Sequence, residues 1–214
     1  MKYDQYLDEI VHMRPLEALE ILAGSSLLDI GCGSGEIVTL LRKDKIRSIG
    51  IDISPWESNE YVIRADAQMM PFGQRVFDYV ISFLVIGHLG NEGKAMEEIS
   101  RVTKPGSRVM FVHFASSCLN IKVPVWKFLG RPLQHYGIYK LYTVKETTRV
   151  LNKFGFDVIK IYVTDFVPPM INFLPSSIQS GVYKFFAGAD YKIARIFRES
   201  GKKIVVIAEK RGKT

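Results

Sequence analysis

The chain contains very little cysteine, and other common features are missing from it as well. Cys32 and Cys118 are the only cysteines among 214 residues, too few and too far apart for a disulfide framework or a tetrahedral zinc site. No apolar run reaches the roughly 18 residues that a membrane span needs. The first ten residues, MKYDQYLDEI, are too charged for a secretory signal. We therefore expect a cytoplasmic protein without a metal or redox centre.

The chain also lacks internal repeats, low-complexity tracts and any linker that would divide it, so we expect a single domain over residues 1–214. Apolar side chains make up 47% of the residues, which is enough for a substantial core. Short apolar runs predict strands over residues 25–30, 46–53, 61–65, 77–82 and 107–114. Several of these runs are apolar on both faces, which is typical of a parallel sheet covered by helices.

Helical patterns lie between the predicted strands. Residues 36–43 form one such pattern, and residues 91–106 form another that ends at a Pro-Gly stop. The second pattern places its apolar residues on one side: Ala95, Met96, Ile99 and Val102. Strands that alternate with helices in this way predict a doubly wound α/β fold.

A glycine-rich turn follows the first predicted strand, in the sequence LLDIGCGSGE. In a doubly wound sheet this turn lies at the carboxyl edge, where ligands bind. The turn has glycines at residues 31, 33 and 35, but the sixth position of a dinucleotide-binding pattern is Glu36 instead of glycine. Asp29 precedes the turn, and a carboxylate there suits a ligand with an ammonium group better than a pyrophosphate.

Four ordered segments resemble the class I S-adenosylmethionine (SAM)-dependent methyltransferases, particularly the group typified by small-molecule and quinone-precursor methyltransferases. The segments are LLDIGCGSGE, GIDIS, RADAQMMPF, and FDYVISFLVIGHLGN with the following EISRVTKPGSRVMFV. They cover residues 25–115. The resemblance implies a Rossmann-like sheet of seven strands, mostly parallel with an antiparallel last strand and helices on both faces. It also implies SAM as cofactor and S-adenosylhomocysteine (SAH) as product.

The resemblance assigns roles to single residues. Asp52 would hold both ribose hydroxyls, Asp66 would accept from the adenine amino group, and Ala67 would offer a backbone N–H. The full expected cofactor set is Asp29, Gly31, Cys32, Gly33, Gly35, Asp52, Ile53, Asp66, Ala67 and Phe83. Simpler alternatives exist, since Asp52 and Asp66 are also suited to capping turns. Cys32 is suited to filling space within the loop.

Beyond residue 115 the resemblance becomes weaker. Thr143 and Glu146 predict a capping box at the start of a helix that ends at Gly155 and leads into a sixth strand. The sequence KKIVVIAEK would be the seventh strand. Two insertions, at about 116–141 and 165–199, would lie on the acceptor side. The second ends in a helix whose apolar stripe is suited to packing against the sheet, with a lipid-facing or substrate-facing role as the alternative: Ile178, Val182, Phe185, Phe186, Ala189, Ile193, Ile196 and Phe197.

The acceptor is less defined than the cofactor. The first insertion offers aromatic residues for a substrate wall: Trp126, His135, Tyr136 and Tyr139. A hydroxyl acceptor would need a base, for which His113, His135 and His88 are candidates; His88 is better suited to packing than to catalysis. The Asn/Asp-Pro-Pro-aromatic loop of adenine and glutamine-amide methyltransferases is missing, as is the Pro-Cys nucleophile of cytosine methyltransferases.

Charge is distributed unevenly along the chain. Residues 1–115 carry 12 Lys/Arg against 16 Asp/Glu, and residues 116–214 carry 17 against 6. A net charge of −4 followed by +11 is suited to an anionic partner, although a solvated basic surface would give the same count. We expect methyl transfer to a small anionic or amphipathic molecule, with tRNA, rRNA or protein as the alternative acceptor. A non-catalytic or NAD-binding Rossmann domain is the third hypothesis.

Overall fold

The computed structural model describes residues 14–55, 59–116, 140–164, 178 and 202–212. Within them, seven strands form one sheet. The strands are β1 (Ser26–Ile30), β2 (Arg47–Asp52), β3 (Val62–Arg64), β4 (Phe77–Phe83), β5 (Thr103–Phe114), β6 (Phe156–Thr164) and β7 (Lys203–Lys210). The helices are α1 (Arg14–Leu19), α2 (Glu36–Lys43), α3 (Glu92–Val102) and α4 (Val144–Lys153), with a 3₁₀ turn at Ile86–His88.

The sheet has the strand order β3-β2-β1-β4-β5-β7-β6. Strands β3, β2, β1, β4 and β5 pair in parallel, whereas β7 pairs antiparallel with both β5 and β6. The predicted fold class, with its antiparallel last strand, is confirmed. The order reverses between β1 and β4, and the carboxyl ends of these two strands border the crevice where ligands bind in such sheets.

Both faces of the sheet are covered. On one face, Leu28, Ile30 and Val80 pack with α3 and α4 residues that include Ile99 and Leu151. The opposite face has a second apolar cluster, which includes Leu16, Leu19, Leu27, Leu41 and Ile81. Adjacent residues of a strand, such as Leu27 and Leu28, therefore support different layers because successive side chains point to opposite faces. Among the described residues, no helix combines the length and the apolar character needed to cross a bilayer.

Local signals set several helix ends. Asn91 caps α3 by accepting from the Lys94 N–H at 3.1 Å. The capping box predicted for α4 is confirmed, because Thr143 Oγ1 accepts from the Glu146 N–H at 3.1 Å and the Glu146 carboxylate accepts from the Thr143 N–H at 2.8 Å. Gly155 follows α4 with a φ of +87°. These ends agree with the capping residues in the sequence.

The start of β5 differs from the prediction. Helix α3, which precedes it, ends at Val102 rather than at Pro105-Gly106, and β5 begins at Thr103 rather than at residue 107. Thr103 pairs with Phe77, and the register shifts before Arg108 pairs with Tyr79. Pro105-Gly106 is therefore an irregularity within a longer strand, because pairing with β4 outweighs the local turn signal. Helix α1 and the 3₁₀ turn were not predicted.

Candidate functional site

The glycine-rich loop between β1 and α2 is the centre of a cleft at the carboxyl edge of the sheet. Gly31, Gly33 and Gly35 all have left-handed backbone conformations, with φ values of +72°, +56° and +79°. A Cβ on Gly31 would lie 2.1 Å from Cγ2 of Val85, in the loop after β4. The glycine is thus required both by its backbone angle and by the close approach of a second loop.

The wide part of the cleft has a volume of about 980 Å³ and extends from the glycine loop along α2. Its lining residues are Asp29, Gly31, Cys32, Gly33, Ser34, Glu36, Ile37, Thr39, Leu40, Lys43, Asp52, Ser54, Asn59, Phe83, Leu84, Val85 and His88. Lys43 is the only Lys or Arg in this lining among the described residues. Glu36 begins α2, the place where a dinucleotide pyrophosphate would meet a helix N-terminus.

Asp29 lies within β1 beneath the loop and is only 2% exposed. Burial, and secondly the negative charge of Asp52, raise the pKa of Asp29 to about 7. Both causes disfavour the ionised carboxylate. A cationic group in the cleft would act in the opposite direction and stabilise the ionised form of Asp29. The end of the cleft next to Asp29 is suited to a ligand with a positive charge.

Asp52 ends β2 and connects two loops. One carboxylate oxygen accepts the Gly33 N–H at 3.0 Å, and the other accepts the Ser54 N–H at 2.8 Å. Each oxygen has a further lone pair, so the carboxylate can also accept from ligand hydroxyls. Its orientation is therefore set by the backbone before any ligand binds.

A narrow part of the cleft continues beyond Asp52, with a volume of about 320 Å³. Ile53, Asp66 and Ala67 line it, and Ile53 is 66% exposed. The Asp66 carboxylate accepts from the backbone N–H of Gln68 at 2.8 Å and from its side-chain amide at 3.2 Å. The wide and narrow parts share Gly31, Asp52, Val85 and His88, so they form one continuous cleft.

Cys32 packs beneath the loop. A Cβ on Gly50 of β2 would lie 2.4 Å from the Cys32 sulfur, so the thiol occupies space that only a glycine leaves open. Burial, followed by the charges of Asp29 and Asp52, raises the pKa of the thiol to about 12. A protonated thiol is a poor nucleophile, and its position agrees with the space-filling interpretation of Cys32.

The two described histidines of the predicted set lie in different environments. His88 lines both parts of the cleft, and its ring is 6.3 Å from that of Phe114. His113 instead lines a separate cavity of about 20 Å³, where its Nε2 lies 2.9 Å from Thr147 Oγ1. Burial lowers the pKa of His113 to about 3. Of these two candidate bases, only His88 has access to the cleft.

The structure thus brings together most of the predicted cofactor residues. Gly35 differs from the others: its Cβ position would lie 2.5 Å from Val62 and 2.8 Å from Asn59, so it serves loop packing. His135 and the other predicted wall residues, Trp126, Tyr136 and Tyr139, lie outside the described residues, as does the apolar stripe after Ile178.

Sequence reasoning missed Val85 and the α2 side chains that line the cleft. Glu36, Leu40 and Lys43 follow each other at steps of four and three residues, the spacing of one helix face. Because the helix starts at the glycine loop, this periodicity indicates that one of its faces lies beside the cleft. The contact between Val85 and Gly31 has no comparable local signal.

Comparison with known proteins gives a consistent assignment. The family model described as a methyltransferase domain matches residues 3–161, well over half of the chain. O-methyltransferase resE of Aspergillus sclerotiorum is 28% identical over 170 residues, covering 71% of this chain and 62% of that protein. The tRNA (carboxymethyluridine(34)-5-O)-methyltransferase of Arabidopsis thaliana is 36% identical over 103 residues, 44% of this chain and 25% of that protein. The chain therefore matches less than two thirds of either relative.

Solved structures show the same fold. A SAM-dependent methyltransferase from Archaeoglobus fulgidus has a TM-score of 0.66 at 19% identity, with 98% of this chain and 95% of that chain covered. Phosphoethanolamine N-methyltransferase 2 of Haemonchus contortus, in complex with S-adenosyl-L-methionine, has a TM-score of 0.65 at 18% identity. The match covers 98% of this chain and 53% of that one.

Proposed function

Because the chain belongs to the class I SAM-dependent methyltransferases, we propose that it transfers the methyl group of SAM to a small anionic or amphipathic acceptor. One observation carries the proposal of SAM as cofactor: Asp29, Asp52 and Asp66 lie along a single cleft beside a loop of three left-handed glycines. Each of these carboxylates matches a different donor group of SAM.

The residues present fit the cofactor. Asp29 would attract the ammonium group, because a nearby positive charge favours its ionised form. Asp52, already oriented by the Gly33 and Ser54 N–H groups, would accept from the ribose hydroxyls. Asp66 and the exposed Ile53 would meet the adenine. When bound, SAM supplies an electrophilic methyl group on a sulfonium.

The cleft is poorly suited to a dinucleotide. A pyrophosphate carries two negative charges and needs N–H donors at a free helix N-terminus. Here Glu36 begins that helix, and Asp29 and Asp52 lie nearby. The electrostatics of the cleft therefore support SAM over NAD, and the family membership argues against a non-catalytic NAD-binding module.

The acceptor would enter beside His88. The Ser116 N–H donates to the Tyr142 carbonyl at 2.7 Å, and the Lys140 N–H donates to the Gly87 carbonyl at 3.2 Å. The residues at both borders of the first insertion are thus held next to the turn that carries His88. This supports the interpretation of Trp126, His135, Tyr136 and Tyr139 as acceptor wall.

Methyl transfer needs an acceptor positioned in line with the donor, and a base only when the acceptor atom carries a proton. We assign that role to His88 if the acceptor is a hydroxyl. His113 is unsuited because it is enclosed and its pKa is lowered to about 3 by burial. Phe83, which lines the same part of the cleft, would exclude water from the reacting atoms.

RNA is the second candidate acceptor. It is favoured by the net charge of +11 over residues 116–214 and by the similarity to a tRNA methyltransferase. The two acceptor classes differ in salt dependence. Binding of a polyanion should weaken by orders of magnitude between about 50 and 200 mM salt, whereas a small acid should lose little affinity.

The experiment supplies the protein with labelled SAM and, in parallel, with metabolite extract, total tRNA and total protein, each at low and high salt. We expect label in a small-molecule fraction, with an Asp52→Ala variant as the inactive control. Label appearing only in tRNA, with steep salt dependence, would replace the small-molecule acceptor by RNA. Failure of the protein to bind SAH in calorimetry would contradict the proposal as a whole.

A further inference from the structure

Two charged residues of α3 hold the segment that follows Asp66 and Ala67. The Arg101 guanidinium donates to the Phe72 carbonyl at 2.6 Å and to the Met70 carbonyl at 3.1 Å. The Glu98 carboxylate accepts the Met70 N–H at 2.6 Å. Three backbone groups of residues 70–72 are therefore bound by side chains from a helix that is distant in sequence.

Glu98 and Arg101 also bind each other. Arg101 Nε and Nη2 donate to the two oxygens of Glu98 at 2.6 and 2.8 Å. The hydrogen bond to Arg101 is the main cause that lowers the pKa of Glu98, so the pair stays ionised. The Arg101 side chain is 30% exposed and the Glu98 side chain is 19% exposed. A planar guanidinium can serve a carboxylate and two carbonyls at once, which the single ammonium of lysine cannot do in the same geometry.

The held segment is continuous with the narrow part of the cleft. The Met69 N–H donates to the Asp66 carbonyl at 3.0 Å, closing a turn over residues 66–69. Immediately after this turn, Met70 is 5% exposed and belongs to the core, and the Phe72 ring contacts that of Phe77 at 5.0 Å. The 66–69 turn is thus fixed by its own backbone hydrogen bond, and the residues that follow it directly are fixed by Glu98 and Arg101.

We propose that Glu98 and Arg101 are positioning residues for the adenine side of the cofactor cleft. Neither belongs to the residues that line the narrow part. They act through the backbone of residues 70–72, which sets where the Asp66 carboxylate and the Ala67 N–H lie relative to Ile53. This rests on the proposed use of SAM, and it predicts that the pair controls recognition of the adenine amino group without touching the ligand.

The test compares SAH with S-inosylhomocysteine by calorimetry; the second ligand has an oxo group in place of the adenine amino group and carries a proton on N1. In Arg101→Lys and Glu98→Gln, we expect SAH affinity to fall about tenfold, equivalent to about 1.4 kcal/mol. Affinity for S-inosylhomocysteine should change much less, so the preference for adenine should shrink. Hydrogen exchange of a peptide containing Met70 should become faster in the same variants.

Two controls lie on the same helix. Glu97→Gln makes the same charge change at an exposed neighbour, and Lys94→Met removes a cation from the exposed face. Both should keep the wild-type preference. Thermal unfolding separates folding defects from the positioning effect, and Arg101→Lys is the decisive variant because it preserves the charge.

The outcomes separate the two proposals. If the wild-type protein binds neither ligand, the assignment of SAM fails. If the wild-type protein prefers SAH and Arg101→Lys and Glu98→Gln keep that preference unchanged, the positioning role is wrong. An equal loss of affinity for both ligands would also contradict it, because that result indicates general destabilisation of the cleft.

Discussion

Asp29 and Asp52 belong to neighbouring parallel strands and line the same cleft, and burial together with the charge of Asp52 raises the pKa of Asp29 to about 7. Ionising Asp29 in the free protein therefore requires free energy that the unfolded chain does not need. A cationic ligand offsets this penalty, so the same pair of carboxylates couples stability, pH and ligand binding.

Asp29→Asn should stabilise the free protein at alkaline pH. Between about pH 4 and 7 the folded wild type keeps a proton that the unfolded chain releases, so its stability falls as pH rises. The variant has no Asp29 carboxylate to ionise, so its free energy of unfolding should exceed that of the wild type by roughly 2–4 kcal/mol above pH 7. Urea unfolding at several pH values measures the difference, with exposed Asp44→Asn as control. A difference that does not grow with pH would contradict the expectation.

The same group should make SAH binding depend on pH. Only the ionised Asp29 pairs with the ligand ammonium, so affinity should increase as pH rises through about 7 and then level off. Calorimetry should find weaker binding to Asp29→Asn at neutral pH, without this rise. Wild-type affinity that stays constant from acid to neutral pH would mean that Asp29 does not meet the ammonium.

Asp52→Ala should weaken SAH binding at least about tenfold. The change removes the predicted charge-assisted bonds to the ribose, each contributing roughly 1.5–3 kcal/mol, and releases the Gly33 N–H from its 3.0 Å bond. Asp157→Ala removes a carboxylate that pairs with Arg211 away from the cleft and should bind normally. Unchanged affinity in Asp52→Ala would refute the ribose assignment.

Gly31→Ala should lose SAH binding through a clash between loops. The added Cβ would meet Val85 at 2.1 Å and would also occupy a φ of +72°. Val85→Ala in the same chain removes the contacts with both Cγ atoms but leaves the Val85 Cβ at 3.0 Å and the backbone strain, so the double variant should recover part of the affinity. Calorimetry on the two single variants and the double variant measures the coupling. Additive effects would show that Val85 is not the obstacle.

Thr143→Ala should destabilise the protein by about 1 kcal/mol, the usual contribution of an N-cap hydroxyl. It removes the side-chain acceptor for the Glu146 N–H at the start of α4. SAH affinity should not change, since neither residue lines the cleft. Chemical unfolding and calorimetry on one preparation check both points, and a large loss of affinity would mean that α4 influences the cleft.

Much of the fold was predictable because its signals are local. Apolar runs marked the five strands β1 to β5, the family resemblance placed β6 and β7, and Thr143 with Glu146 marked the start of α4. Helix α1 was missed because six residues carry too little periodicity; its helicity depends on burying Leu16 and Leu19 against the sheet. The Pro105-Gly106 stop was wrong because strand pairing, a tertiary effect, extended β5 through it.

In the candidate site, too, the residues marked by local sequence patterns were predictable and those that depend on tertiary packing were not. The glycine loop and the acidic strand ends are sequence patterns, and the structure brings them into one cleft. His113 ends a strand in the sequence, yet its environment is decided by Thr147 of α4, 34 residues away. The contacts of Arg101 with residues 70–72 are of the same kind. No local pattern contains such contacts, because they depend on how distant elements pack.

The insertion of β7 between β5 and β6 has a consequence for synthesis on the ribosome. Strand β6 is made before β7, but among the described strands it borders only β7. Until residues 203–210 have emerged, both β5 and β6 present unpaired backbone edges to the cell. The parallel strands β1 to β5 can assemble earlier, whereas the nascent chain remains exposed to aggregation until β7 closes the gap.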